Sequence, residues 1–141
     1  MRYLLLALLL FAATVGCKKK SHPDIGNKTE FGRVIAVFEG ELTDDDEKRP
    51  EDGSRFDTIE TTFKKDATIT IRMTGDGNYD TFLMVGYPDE TAAGINDDCN
   101  DTDRNVSCVE FVANQKGTYQ ILANAYDHKG RGAYTIHVYQ K

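Results

Sequence analysis

Residues 67–74, Ala-Thr-Ile-Thr-Ile-Arg-Met-Thr, alternate apolar and polar side chains without a break. Successive side chains of an extended chain point to opposite faces. This period of two therefore puts Ala67, Ile69, Ile71 and Met73 on one face and Thr68, Thr70, Arg72 and Thr74 on the other. A half-buried strand satisfies the pattern; a helix would scatter the apolar groups around its circumference. The turn-forming run Gly75-Asp76-Gly77-Asn78 closes the segment.

The same grammar recurs along the chain. Phe31 to Phe38 is rich in β-formers with apolar residues at both parities, which predicts cover on both faces. Arg55 to Phe63 is a threonine-rich strand, and Thr81 to Val85 is short and nearly all apolar, as a central strand should be. Ser107 to Ala113 follows an acidic loop. Gly117 to Tyr126 turns Tyr119, Ile121, Ala123 and Ala125 inward, and Ala133 to Tyr139 does the same with Tyr134, Ile136 and Val138. No stretch sustains a helical period. About seven to eight short strands separated by turn chemistry predict an all-β, antiparallel β-sandwich. Two loops are long: 43–54, which is strongly acidic, and 87–106.

The N-terminus reads as an export signal. Arg2 precedes the apolar run Leu4 to Val15, which is shorter than the ~20 residues a spanning helix needs. The segment Thr14-Val15-Gly16-Cys17 resembles a bacterial lipobox. That resemblance implies a lipoprotein signal peptide over 1–16, acylation of Cys17, a polar tether over 17–28 and a β-sandwich domain over 29–141. Two acyl chains suffice for stable anchoring, each buried CH₂ contributing about 0.8 kcal/mol. Lys18 follows the cysteine, and by resemblance to enterobacterial sorting this favours the outer over the inner membrane. The alternative is ordinary cleavage near Ala13, with Cys17 left as a free thiol.

Removing residues 1–16 takes away Arg2 and no acid, so 16 basic residues face 23 acidic ones, a formal charge of −7. Nucleic acid is excluded as an expected partner, because phosphate binding needs a basic face. Cys99 and Cys108 stand nine positions apart. In an exported chain such a pair is expected to form a disulfide, the alternative being two free thiols.

The strands and loops in order resemble a known family. Asp80-Thr81-Phe82-Leu83, then Asn96-Asp97-Asp98, then Gly117-Thr118-Tyr119, then Gly132-Ala133-Tyr134 are similar to the D-T-x-L, x-D-D, G-T-Y and G-x-Y segments of the bacterial pre-peptidase C-terminal domain. The segment Lys64 to Ile71 looks like that domain's turn-and-strand unit. The resemblance covers most of residues 31–140. It implies a jelly-roll-like β-sandwich that is appended to secreted peptidases and is not itself catalytic. Related domains bind collagen or other extracellular polymers, some with calcium.

Candidate chemistry concentrates in the second long loop. Asp97, Asp98, Asp101 and Asp103, with Asp80 brought in through the fold, offer the oxygen ligands calcium takes, although the spacing is not that of an EF-hand. The alternative is a set of solvated loop acids. Tyr87, Tyr126 and Tyr139 could line an aromatic strip for a polymer ligand, since tyrosine offers an apolar body with a polar tip; packing in the core or at an edge is the competing role. His22 falls in the tether, His128 in a glycine-rich turn and His137 on the outward face of the last strand. Neither HExxH nor GxSxG occurs, so no catalytic residue is assigned and no enzyme is expected. The expectation is a membrane-anchored lipoprotein whose sandwich binds an extracellular polymer or protein at the cell envelope. The competing expectation is a modulator, inhibitor or accessory subunit of a separately encoded secreted peptidase.

Overall fold

A computed structural model describes residues 22–96, 98, 99 and 103–141. Residues 1–21, which include Cys17 and the segment expected to be a signal peptide, and residues 97 and 100–102 lie outside the described residues. The described chain forms ten strands: β1 (Lys28–Thr29), β2 (Gly32–Leu42), β3 (Glu47–Lys48), β4 (Arg55–Phe63), β5 (Thr68–Gly75), β6 (Thr81–Gly86), β7 (Ala92–Asn96), β8 (Val106–Val112), β9 (Gly117–Ala125) and β10 (Gly132–Gln140). They make two five-stranded antiparallel sheets, ordered β1-β2-β10-β5-β8 and β3-β4-β9-β6-β7. The all-β sandwich expected from the alternating runs is the observed architecture.

Seven strands coincide with the seven alternating runs. The other three add to the expected number for a physical reason. β1 and β3 are two residues each, too short to show a period. β7, Ala-Ala-Gly-Ile-Asn, lies inside the segment 87–106 that the sequence assigns to a loop. Alanine and glycine are poor β-formers, and β7 is held by its ladder to β6, where Met84 faces Ile95 and Val85 faces Gly94.

The core fills the space between the sheets. Ile69, Ile71 and Met73 of β5 are fully buried, as are Tyr119, Ile121, Ala123 and Ala125 of β9 and Ile136 and Val138 of β10. Each is on the face its parity predicts. The Tyr119 ring packs against Phe63, Phe111 and Tyr87, and its hydroxyl donates to the Gln115 carbonyl at 2.7 Å. The buried Thr81 and Ser107 hydroxyls share a hydrogen bond of 2.7 Å that ties β6 to β8 across the sandwich.

Strand β2 is covered on both faces because it bulges. Val138 of β10 faces Ala36, but the next residue, Tyr139, faces Val34, leaving Ile35 as the extra residue. The bulge moves Val34 to the outer face, where it joins Val37, Tyr139 and Phe31 in a second, smaller apolar cluster. Residues 22–27, within the sequence's tether, form a turn bonded to β2: Gly26 donates to the Val34 carbonyl at 2.8 Å and Val34 donates to that of Asn27 at 2.9 Å.

Candidate functional site

The outer face of the β1-β2-β10-β5-β8 sheet carries the candidate chemistry. Its registers align side chains in rows across four strands. One row runs Val37, His137, Arg72, Cys108, and the next runs Val34, Tyr139, Thr70, Glu110. Both rows consist of the outward positions of β5 and β10 and their neighbours, so the alternation that fills the core also composes this surface.

A cavity of ≈ 330 Å³ opens on these rows, lined by Thr70, Arg72 and Glu110 on the sheet and by Glu30 and Phe31 from the β1–β2 turn, with the Cys99–Cys108 pair at one side. The two cysteines form a disulfide with their Cα atoms 4.9 Å apart. The Cys99 amide donates to the Val106 carbonyl at 2.8 Å, and the Cys108 amide donates to Asn96 Oδ1 at 3.2 Å, so the bridge fixes the loop to β7 and β8. On the other side Gly32 makes the close turn. Its φ is +120°, and a Cβ there would stand 2.6 Å from the Gln140 carbonyl oxygen. That approach lays Phe31 on Tyr139, ring centroids 5.4 Å apart.

Inside the cavity the Arg72 guanidinium lies 5.8 Å from the centroid of the Phe31 ring. Among the described residues no carboxylate is within ion-pair distance of Arg72, and its buried Nε has no hydrogen-bond partner. Glu110, in contrast, is committed: Lys141 Nζ donates to it at 2.6 Å and Thr70 Oγ1 at 3.0 Å. The Lys141 bond, then that of Thr70, hold its carboxyl below the usual range. Burial pushes the Tyr139 hydroxyl up, with the charge of Arg72 opposing. The surface thus offers a cation on an aromatic platform beside a neutralised acid, an arrangement that can hold a ligand with a flat apolar side and an anionic group.

Next to the cavity, His137 stacks on Tyr139 with ring planes 20° apart. Its Nε2 is 3.3 Å from Asp24 Oδ2, and His22 Nδ1 is 3.5 Å from the same oxygen. Among the described residues this trio is the group of side chains placed to share a metal ion.

The residues singled out from sequence are distributed as follows. Tyr139 is on this face and 6% exposed. Tyr87 packs edge-on against Phe111 and Tyr119, and Tyr126 is 56% exposed beside Phe82 of the opposite sheet. The three tyrosines thus stand on separate parts of the sandwich. Asp98 is half-buried beside Cys99, and Asp103 accepts the Asn105 amide at 3.0 Å in a local turn. Asp80 precedes β6, whose first amide, that of Thr81, donates to the Arg104 carbonyl at 2.8 Å, so Asp80 and the acidic loop are neighbours. Asp97 and Asp101 lie outside the described residues. Sequence reasoning missed Arg72, Phe31 and the His22–Asp24–His137 trio. The available signals were the outward parity of positions 72 and 137 and the His-Pro-Asp run at 22–24.

No protein-family model matches the chain, and no curated protein matches it. Among solved structures it is similar to the pre-peptidase C-terminal domain of a collagenase from Bacillus anthracis, with a TM-score of 0.54 at 16% identity over 84% of this chain and 99% of that one. It is also similar to PliG of Aeromonas hydrophila, a periplasmic lysozyme inhibitor of g-type lysozyme, with a TM-score of 0.53 at 16% identity over 75% of this chain and 85% of that one. The chain therefore has a fold like that of the pre-peptidase C-terminal domain, the likeness the sequence segments suggested.

Proposed function

We propose that the chain is a bacterial lipoprotein, anchored through acylated Cys17, whose sandwich is a non-catalytic binding module at the cell envelope. The ligand, a polymer or a protein, sits in the cavity between the Cys99–Cys108 disulfide and the β1–β2 turn. The observation that carries the reading is the Arg72 guanidinium, held on the Phe31 ring in an open cavity and, among the described residues, with no carboxylate at ion-pair distance. A cation kept over an aromatic face without an internal counter-ion is suited to an external one. The ligand is thus one that presents carboxylates, such as an acidic polysaccharide or an acidic peptide segment. The disulfide supports an extracytoplasmic, oxidising location. The acids Asp97, Asp98, Asp101 and Asp103, with Asp80, would assist by holding calcium beside the bridge.

Binding of the mature protein to acidic and neutral envelope polysaccharides and to envelope proteins, with Arg72→Ala as the control, tests the reading. Retention by an acidic ligand that vanishes in the variant supports it; equal retention of both proteins contradicts it.

The second reading is an inhibitor or accessory subunit of a separately encoded enzyme. It is favoured by the two similar folds, one a domain of a collagenase and the other an inhibitor. Co-purification of a single envelope hydrolase at fixed stoichiometry would select it.

A further inference from the structure

We infer that His22, Asp24 and His137 form a binding site for a divalent transition-metal ion, zinc being the best match, that clips the segment after Cys17 onto the outer face of the sandwich. Two imidazoles and one carboxylate are a zinc-type donor set, with room for a fourth ligand. Tetrahedral donors on bonds of about 2.0–2.1 Å stand about 3.3 Å apart. The two edges that meet at Asp24 Oδ2 measure 3.3 Å to His137 Nε2 and 3.5 Å to His22 Nδ1. All three donors lie within 4.8 Å of one another, so the third edge, between the two imidazoles, would shorten by no more than about 1.5 Å on binding an ion.

The surroundings favour ligation through these atoms. His22 Nδ1 faces Asp24 and accepts its backbone amide at 3.2 Å, which leaves Nε2 to carry the proton; a metal ion on Nδ1 would replace that hydrogen bond, taking over the same lone pair. That Nε2 is 3.8 Å from Glu39 Oε1. A carboxylate behind a ligating histidine fixes its tautomer and strengthens it as a donor. His137 is held by its stack on Tyr139 and by its place in the middle of β10. The trio is half-buried, so the ion would be partly shielded while a water or ligand group could still reach it.

The two parts of the site come from opposite ends of the chain, which gives the ion a mechanical role. His22 and Asp24 belong to the turn that follows the anchor; His137 belongs to the last strand. This role rests on the anchorage through Cys17 proposed above: a bound ion would fix where the tether leaves the domain and hence which face the lipid surface meets.

The test is isothermal titration of zinc chloride into the full chain, made without a polyhistidine tag and kept in detergent, with melting followed in parallel. One-to-one binding in the micromolar range or tighter and a raised melting midpoint are expected. His22→Gln and Asp24→Asn, which lie outside the sheets, and His137→Gln should each weaken binding at least tenfold, and Glu39→Gln, whose carboxylate is 3.8 Å from the His22 ring, by less than that. Cobalt in place of zinc should give the visible absorption of a low-symmetry four-coordinate site. Absence of saturable heat at submillimolar zinc would overturn the site. So would wild-type binding by His22→Gln and Asp24→Asn, both shown folded by circular dichroism.

Discussion

The Tyr134 hydroxyl reaches across the sandwich from β10 and donates to Asp57 Oδ2 of β4 at 2.6 Å. Tyr134 can do so because its ring lies over Gly40, the facing residue of β2, where a Cβ would collide with it. The bond joins the two sheets at one end of the core. Tyr134→Phe should cost about 1.5–3 kcal/mol, the range for hydrogen bonds to a charged partner, read by urea unfolding.

The same pair sets a pH dependence. Burial pushes the Asp57 carboxyl above its ordinary 3.8, the Tyr134 bond opposes this, and the nearby Asp46 carboxylate adds to the rise. The folded state thus binds this proton more tightly than the unfolded chain. Its contribution to stability is fully present below 3.8 and is lost as pH rises through the folded value. Asp57→Asn should remove that decline, and Tyr134→Phe should extend it to higher pH. Glu110, whose carboxyl is lowered, acts in the opposite sense, losing stability as pH falls below its ordinary 4.5. Unfolding measured across the carboxylate range separates the two.

Reduction of Cys99–Cys108, or its removal as the double serine variant, should cost about 2.5–3 kcal/mol in the chain-entropy estimate for a loop of this size. It should also free the loop from β8 and so weaken ligand binding. Paired unfolding curves with and without reductant check the first effect.

Gly32→Ala should destabilise by about 1–3 kcal/mol, since the turn needs a left-handed φ and the Gln140 carbonyl fills the space a Cβ requires. Because the turn carries Phe31, ligand affinity should fall with it. Phe31→Ala and Arg72→Ala should each lower affinity about tenfold while leaving the melting midpoint within a few degrees.

Calcium at about ten times a dissociation constant near 0.1 mM, a value common in extracellular modules, would stabilise the domain by about 1.4 kcal/mol and raise the midpoint by roughly 5 °C. Asp98→Asn with Asp103→Asn should abolish the shift. Zinc binding at His22, Asp24 and His137 should survive those changes.

The sandwich was legible where side chains alternate. β5 and β10 can be placed to within a residue or two because Ile69, Ile71, Met73, Ile136 and Val138 need one dry face. β7 was not legible: Ala92, Ala93 and Gly94 have little strand preference of their own, and their pairing to β6 is a tertiary event. The disulfide was readable from the short separation of its cysteines. The cavity was not, since Phe31 reaches Arg72 only through the Gly32 turn and the β2 bulge. His22, Asp24 and His137 were invisible as a group because 113 positions separate Asp24 from His137, and motif spacing sees only local neighbours.

The binding reading is tested most directly in the living host, where the ligand is present whatever its identity. A photo-crosslinking amino acid placed at Glu30, on the rim of the cavity, is compared with one at the exposed Tyr126, just past the end of β9 in the opposite sheet. Discrete adducts are expected from position 30 that disappear when Arg72→Ala is added, and none from position 126. Adducts from 126 but not 30, or adducts at 30 that are indifferent to Arg72, would contradict the binding reading.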